Sequence, residues 1–215
     1  MHILHSLLNE LNEEFSESKQ GKERRVWFMY TLLAIILPFT SSRTSNLLRA
    51  LNALFGFTYI GKKRYYTFMG SPKIPWNRLW PRPWKLIPEP ETKGKLIVAL
   101  DDYINPKTGK EIFGCAKVFD HAAKQNQSQY PWAQNVVTIG LPKVIKGRWA
   151  CLPLSQRFYF MEKDLSRHQK KSGKVKIEFQ SKHRQAVDML REVRDSFPTS
   201  DILVVTDSWF GNKGL

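Results

Sequence analysis

Three aspartates stand where short hydrophobic runs end. Leu96-Ile-Val-Ala-Leu100 passes without a spacer into Asp101 and Asp102, and Ile202-Leu-Val-Val-Thr206 passes into Asp207. Carboxylate oxygens are hard donors, and Mg²⁺ is often held by only one or two protein carboxylates. Acids carried to the ends of adjacent strands therefore point to a divalent-cation site. Side chains alternate between the two faces of a strand, so Asp101 and Asp102 face opposite ways and only one of them is expected to ligate.

The elements that must position these acids follow from the surrounding pattern. Leu96 to Leu100 is too short for a helix, is rich in aliphatic and β-branched residues, and lies between Gly94 and the turn-forming Asn105-Pro106, so it reads as a central strand. Lys110 to Phe119 reads as a second strand, antiparallel to the first because the connection is short. A polar loop from Asp120 to Gln134 precedes a third strand at Asn135 to Leu141, and Trp149 to Met161 is again strand-like. Glu162 to Lys182 reads as a polar, basic loop whose Lys170 and Lys171 are candidate DNA contacts. Ser181 to Ser196 has helical spacing, with Ala186, Val187, Leu190 and Val193 on one side, and Phe197-Pro198 closes it. The strand ending in Asp207 follows at once. A helix leading into a strand can set that strand parallel to the first, which predicts an α/β domain with a mixed sheet and brings Asp102 and Asp207 together.

The first 60 residues read as a small helical region. Ile3, Leu4, Leu7, Leu8, Leu11 and Phe15 recur at helical spacing, a second helix covers about Arg24 to Leu37 before Pro38, and a third runs from Ser45 to Phe55 before Gly56. Arg43 and Arg49 around the third helix are candidate DNA contacts in the manner of a helix-turn-helix. Residues 61–94 read as a connector rich in proline, aromatic residues and cations. There Lys62, Lys63, Arg64, Arg78 and Arg82, interleaved with tyrosines and tryptophans, suit a phosphate backbone. The remainder, 95–215, forms the domain that carries the acids.

Composition narrows the function classes. With 215 residues and 42% hydrophobic content the chain can bury a core, while 34 Lys and Arg against 19 Asp and Glu give a formal charge of +15. The isoelectric point near 9.9 makes nucleic acid the leading partner. Cys115 and Cys151 are too few for a disulfide framework or a zinc knuckle, which suits a reducing, cytoplasmic setting. The most lipophilic window, Val26 to Phe39, is broken by Pro38 and is shorter than the roughly 20 apolar residues that span a bilayer, so no membrane partner is expected. His121, His168 and His183 match no familiar zinc spacing, and Ser208 lacks the glycine-flanked elbow of a hydrolase nucleophile.

Three stretches in this order carry a resemblance. Leu100-Asp-Asp-Tyr with the following Asn-Pro-Lys-Thr-Gly-Lys110, the stretch Gly147-Arg-Trp-Ala-Cys-Leu-Pro-Leu-Ser-Gln-Arg-Phe-Tyr-Phe160, and Val204-Val-Thr-Asp-Ser-Trp-Phe-Gly211 resemble the DDE transposases of bacterial insertion sequences. The similarity covers about Lys95 to Leu215, and the helical region before it resembles that family's DNA-binding part more loosely. The resemblance implies an RNase H-like fold, with the first catalytic aspartate on the first strand and the second at the end of the fourth. Residue by residue, those roles pass to Asp102 and Asp207, with Asp101 as the alternative to Asp102. It further implies two Mg²⁺ ions flanking a scissile phosphate, double-stranded DNA with transposon terminal repeats as substrate, and a homodimer on paired ends. The family's third acid, a glutamate on a later helix, has no counterpart in the eight residues after Asp207. The expectation is a truncated transposase, catalytically incomplete in this chain. The alternatives are a remnant that only binds DNA and a nucleic-acid-binding module of other ancestry.

Overall fold

A computed structural model describes residues 2–36, 44–56, 61–71, 73–109, 111–172 and 176–211. They form two compact units, Met1–Leu86 and Ile87–Leu215.

The first unit is helical: α1 (His2–Asn12), α2 (Lys19–Ile36), α3 (Thr44–Phe55), α4 (Lys62–Met69), the short α5 (Trp76–Leu79) and a 3-10 turn at Arg82–Leu86. α2 starts at Lys19 rather than at Arg24 because the Ser18 hydroxyl accepts the Gly21 amide at 3.1 Å, capping an end that the sequence leaves looking like a break. Pro38 and Arg43 lie outside the described residues. Leu11, Phe15, Trp27, Phe28, Leu47, Leu51, Tyr65, Phe68 and Leu79 are buried in one cluster. Rings set its geometry: Phe15 packs on Phe28 at 5.4 Å, and Trp27 meets Phe68 edge-on at 5.4 Å. The aromatic residues of the 61–94 stretch thus have two fates. Tyr65, Phe68 and Trp84 are core, while Tyr66, Trp76 and Trp80 stay exposed.

Tyr65 makes the helical unit sensitive to alkali. Its buried hydroxyl shares a 2.9 Å hydrogen bond with Thr31, and burial, partly offset by that bond, raises its pKa above the ordinary tyrosine value. The unfolded chain therefore loses this proton first as pH rises. Stability is full below the ordinary value and is lost as pH climbs through the raised one. Tyr65→Phe is expected to flatten the alkaline limb of a urea-unfolding stability curve, with a decrease of about 1 kcal/mol at neutral pH from the missing hydrogen bond. An unchanged limb would reject this assignment.

The second unit is α/β: β1 (Leu96–Pro106), β2 (Cys115–Lys117), β3 (Trp132–Ile145), β4 (Arg148–Tyr159), a 3-10 turn at Glu162–Asp164, α6 (Leu165–Ser172), α7 (Lys182–Ser196), β5 (Ile202–Thr206) and the single turn α8 (Ser208–Gly211). β1 sits between antiparallel β3 and parallel β5, and β3 carries β4 and the short β2 on its other side. This five-stranded mixed sheet with its helices is consistent with an RNase H-like fold preceded by helices. Leu96, Val98 and Leu100 are fully buried on one face, each contributing about 1.5–3 kcal/mol by leaving water. α7 covers β3 and β4 and buries Ala186, Met189 and Val193.

The fold departs from expectation in two places. Lys110 to Phe119 is not a long partner of β1. Among its described residues only Cys115–Lys117 is strand, and it pairs with β3. Turns at Gly109–Ile112 and Ile112–Cys115, with Gly114 at a φ of 79°, break the segment, and the longer apolar run of β3 takes the edge of β1 instead. The basic stretch after Glu162 is likewise not all loop, since it contains α6. No helix among the described residues is long and apolar enough to cross a membrane.

Candidate functional site

The parallel ladder between β1 and β5 runs from Leu96 opposite Ile202 to Leu100 opposite Thr206 and stops there. Asp101 continues β1 and Asp207 directly follows β5, so these two acids leave the ladder at one level at its carboxyl end, and Asp102 lies one residue further along β1. In open α/β sheets ligands bind outside the carboxyl ends of strands, where helices and loops diverge. The first pair of acids does not sit at a strand tip, however. β1 continues to Pro106, with Asp101 and Asp102 paired to Thr138 and Val137 of β3.

Alternation along β1 decides what each acid meets. Asp102 shares a face with Leu96, Val98 and Leu100, and its Oδ2 accepts a hydrogen bond from Lys182 Nζ at 2.8 Å. Both side chains are largely shielded, at 21% and 16% exposure. Asp101 is exposed, and its Oδ1 accepts the Asp102 amide at 2.7 Å. Asp207 is exposed too. Its Oδ1 accepts the Phe210 amide at 3.3 Å, so it caps the turn α8 as well as ending β5.

Lys182 closes the stretch that reads in sequence as a basic loop, and the fold brings it to Asp102. It begins α7, whose N-terminus is capped by Ser181 Oγ accepting the Arg184 amide at 3.2 Å. Its ammonium lies 5.0 Å from the Trp209 ring centroid and 5.3 Å from that of Tyr159, two π-faces that favour a cation between them. Burial first, and then the charges of Glu162 and Asp102, push the Tyr159 phenol above its ordinary value, so it remains neutral at physiological pH. His183 stacks on Trp209 at 5.0 Å and closes the cluster. The only signal in the sequence was an ordinary one, a lysine just after a capping serine.

The nine cations expected to touch DNA lie in different settings. Arg49, Lys62, Lys63 and Lys170 are exposed. Arg64 pairs with Glu23 at 2.6 Å and covers Trp27 at 5.4 Å. Arg78 and Arg82 both pair with Glu14, and Arg82 also reaches Glu10 at 3.5 Å. Arg43 and the side chain of Lys171 lie outside the described residues. His121 rests against Phe119, His168 between Phe113 and Phe160, and His183 against Trp209.

Hard oxygen donors at the end of a parallel strand pair suit Mg²⁺ better than a soft metal. The Lys182 ammonium pairs with Asp102 where it stands. Among the described residues no three His, Cys, Asp or Glu side chains cluster as a ready ligand set. Residues 10–215 match the family model described as DDE superfamily endonuclease. No curated protein and no solved structure matches the chain.

Proposed function

Since the chain belongs to the DDE superfamily endonucleases, whose substrate is DNA and which generally depend on a divalent metal, we propose that it is a transposase of the insertion-sequence type. It cuts DNA at the terminal repeats of its element and joins the freed ends to a target. The observation that supports this reading is that parallel β1 and β5 carry Asp101 and Asp207 out of their ladder at one level, with Asp102 one residue further along β1 and paired to the Lys182 ammonium.

In this reading Asp102 and Asp207 hold Mg²⁺, with Asp101 as the alternative to Asp102. When bound, the metal supplies Lewis-acid polarisation of the phosphodiester and a more acidic water or 3′-hydroxyl. The chain's own groups prepare that site. Lys182 compensates the Asp102 charge and holds the carboxylate in place, while Tyr159 and Trp209 steer the ammonium without adding a second anion. When Asp102 is otherwise engaged, the Lys182 ammonium is free to meet a phosphate oxygen of the DNA. Residues 1–60 act as the DNA-reading region, 61–94 as a basic connector and 95–215 as the catalytic domain, working in the cytoplasm as a homodimer on paired ends.

A second reading, a transposase derivative of bacterial origin that binds ends without cutting them, draws on the absence of a three-ligand cluster among the described residues. One experiment separates the two. Supercoiled plasmid carrying the terminal repeats is incubated with the chain in Mg²⁺ or Mn²⁺, and nicks are mapped while binding is followed by gel shift. Metal-dependent nicks at the repeat boundaries are expected. Repeat-specific binding without nicks would favour the second reading, and equal treatment of repeat and random DNA would reject the transposase assignment altogether.

A further inference from the structure

β3 and β4 outrun the sheet. β3 last pairs with β1 at Gly140 opposite Ala99, and beyond that point β3 and β4 pair only with each other, from Leu141 opposite Leu152 to Ile145 opposite Arg148. The turn between them has positive φ at both central residues, 51° at Lys146 and 75° at Gly147, the arrangement of a tight two-residue hairpin whose twist matches its strands. The base of this ribbon is tied down by Lys143, whose ammonium donates to the Glu91 carbonyl at 3.0 Å and also to that of Glu89.

What the ribbon presents is unusual for a free surface. Val144 and Trp149 lie directly opposite one another, hence on one face, at 52% and 67% exposure. Lys143, Lys146 and Arg148 are its charges, and no acid occurs between Leu141 and Leu154. Lys146 and Arg148 are exposed and have no ion-pair partner among the described residues, whereas Arg64, Arg78, Arg82 and Arg157 are each matched to a glutamate. An exposed indole beside unmatched cations on a projecting two-stranded ribbon is complementary to a polyanion with apolar grooves. A two-stranded ribbon has the dimensions of the DNA major groove, and apolar side chains flanked by cations also serve as wedges in the minor groove.

We propose that the hairpin arm from Leu141 to Pro153 is a duplex-DNA contact, with Lys146 and Arg148 on phosphates and Trp149, backed by Val144, against base edges or a base step. This rests on the reading of DNA as substrate and extends it to a surface outside the acidic site.

The test is equilibrium binding of a fluorescein-labelled random-sequence duplex to the full chain across a KCl series, with thermal melting of every variant. For the double variant Lys146→Ala/Arg148→Ala, weaker binding is expected, and the slope of log K against log salt should shrink by about 1.8, or about 0.9 for each phosphate no longer neutralised. Trp149→Ala is expected to weaken binding by about tenfold, and Trp149→Phe by much less, since a ring face is retained. If the wild type binds and all three variants match it in affinity and slope, the arm is not a DNA contact and the DNA reading stands. If the wild type binds no duplex, both fall. Abolished self-association of Trp149→Ala in sedimentation, with DNA affinity unchanged, would make the arm a contact between copies and overturn the proposal.

Discussion

Asp102→Asn is expected to lower metal-dependent nicking of supercoiled DNA by at least about a hundredfold. Lewis-acid stabilisation by a bound metal is worth several kcal/mol, and each 1.36 kcal/mol is a factor of ten in rate. Asparagine keeps the shape of the side chain on β1 but removes the anionic oxygens, so folding should survive while metal affinity falls. Mn²⁺ binding followed by electron paramagnetic resonance supplies a readout independent of cleavage. Asp101→Asn should change little, because Asp101 is exposed and lies on the other face of the strand. Lys182→Met should move metal affinity the opposite way, since it removes the ammonium 2.8 Å from Asp102 Oδ2. Wild-type Mn²⁺ affinity in Asp102→Asn together with weakened affinity in Asp101→Asn would transfer the ligand role to Asp101.

Glu14→Ala should destabilise the helical unit by about 3 kcal/mol, a large share of what a domain of this size holds in reserve. Glu14 follows α1 and is buried, with its side chain only 6% exposed. Its carboxylate accepts from Arg82 and lies 3.5 Å from the Arg78 guanidinium, which also donates to the Glu14 carbonyl at 2.8 Å. Removing the acid takes the main ion-pair partner from Arg82, while Arg78, 59% exposed, falls back on water. Arg82 keeps Glu10 at 3.5 Å and its head is 31% exposed, which sets the expected effect at the low end of the range for a broken buried pair. Urea unfolding followed by tryptophan fluorescence should show an earlier midpoint with an unchanged slope. A change below about 1 kcal/mol would mean that water already screens these ions as it does surface pairs.

This ion cluster bears on how the chain meets DNA. Arg78 and Arg82 look like phosphate contacts by composition, yet their charge is already matched inside the fold. The arm residues Lys146 and Arg148 drew no notice by composition and stand unmatched on a projecting ribbon. Net charge alone therefore says that a polyanion is the partner without saying which cations meet it.

Local elements and the kind of chemistry are written in the residues themselves. Five consecutive apolar residues before Asp101 and Asp102 can hardly avoid becoming a buried strand, and the spacing of Ala186, Val187, Leu190 and Val193 makes α7 amphipathic before it has anything to pack on. Carboxylates directly after two apolar runs were visible for the same reason, since burial periodicity and side-chain chemistry are set residue by residue, whereas the continuation of β1 past its acids to Pro106 was not. Which strand lies beside β1 was settled only by packing, because Lys110–Phe119 and the β3 segment compete for the same edge and the better-packed run, with Val137 and Ile139 fully buried, prevails. Packing also settled that Asp102 meets Lys182 between two aromatic rings, that Glu14 gathers Arg78 and Arg82, and that β3 and β4 extend beyond their neighbours. Each of these joins residues far apart along the chain, and no local pattern encodes a contact whose existence depends on where the rest of the chain has already folded.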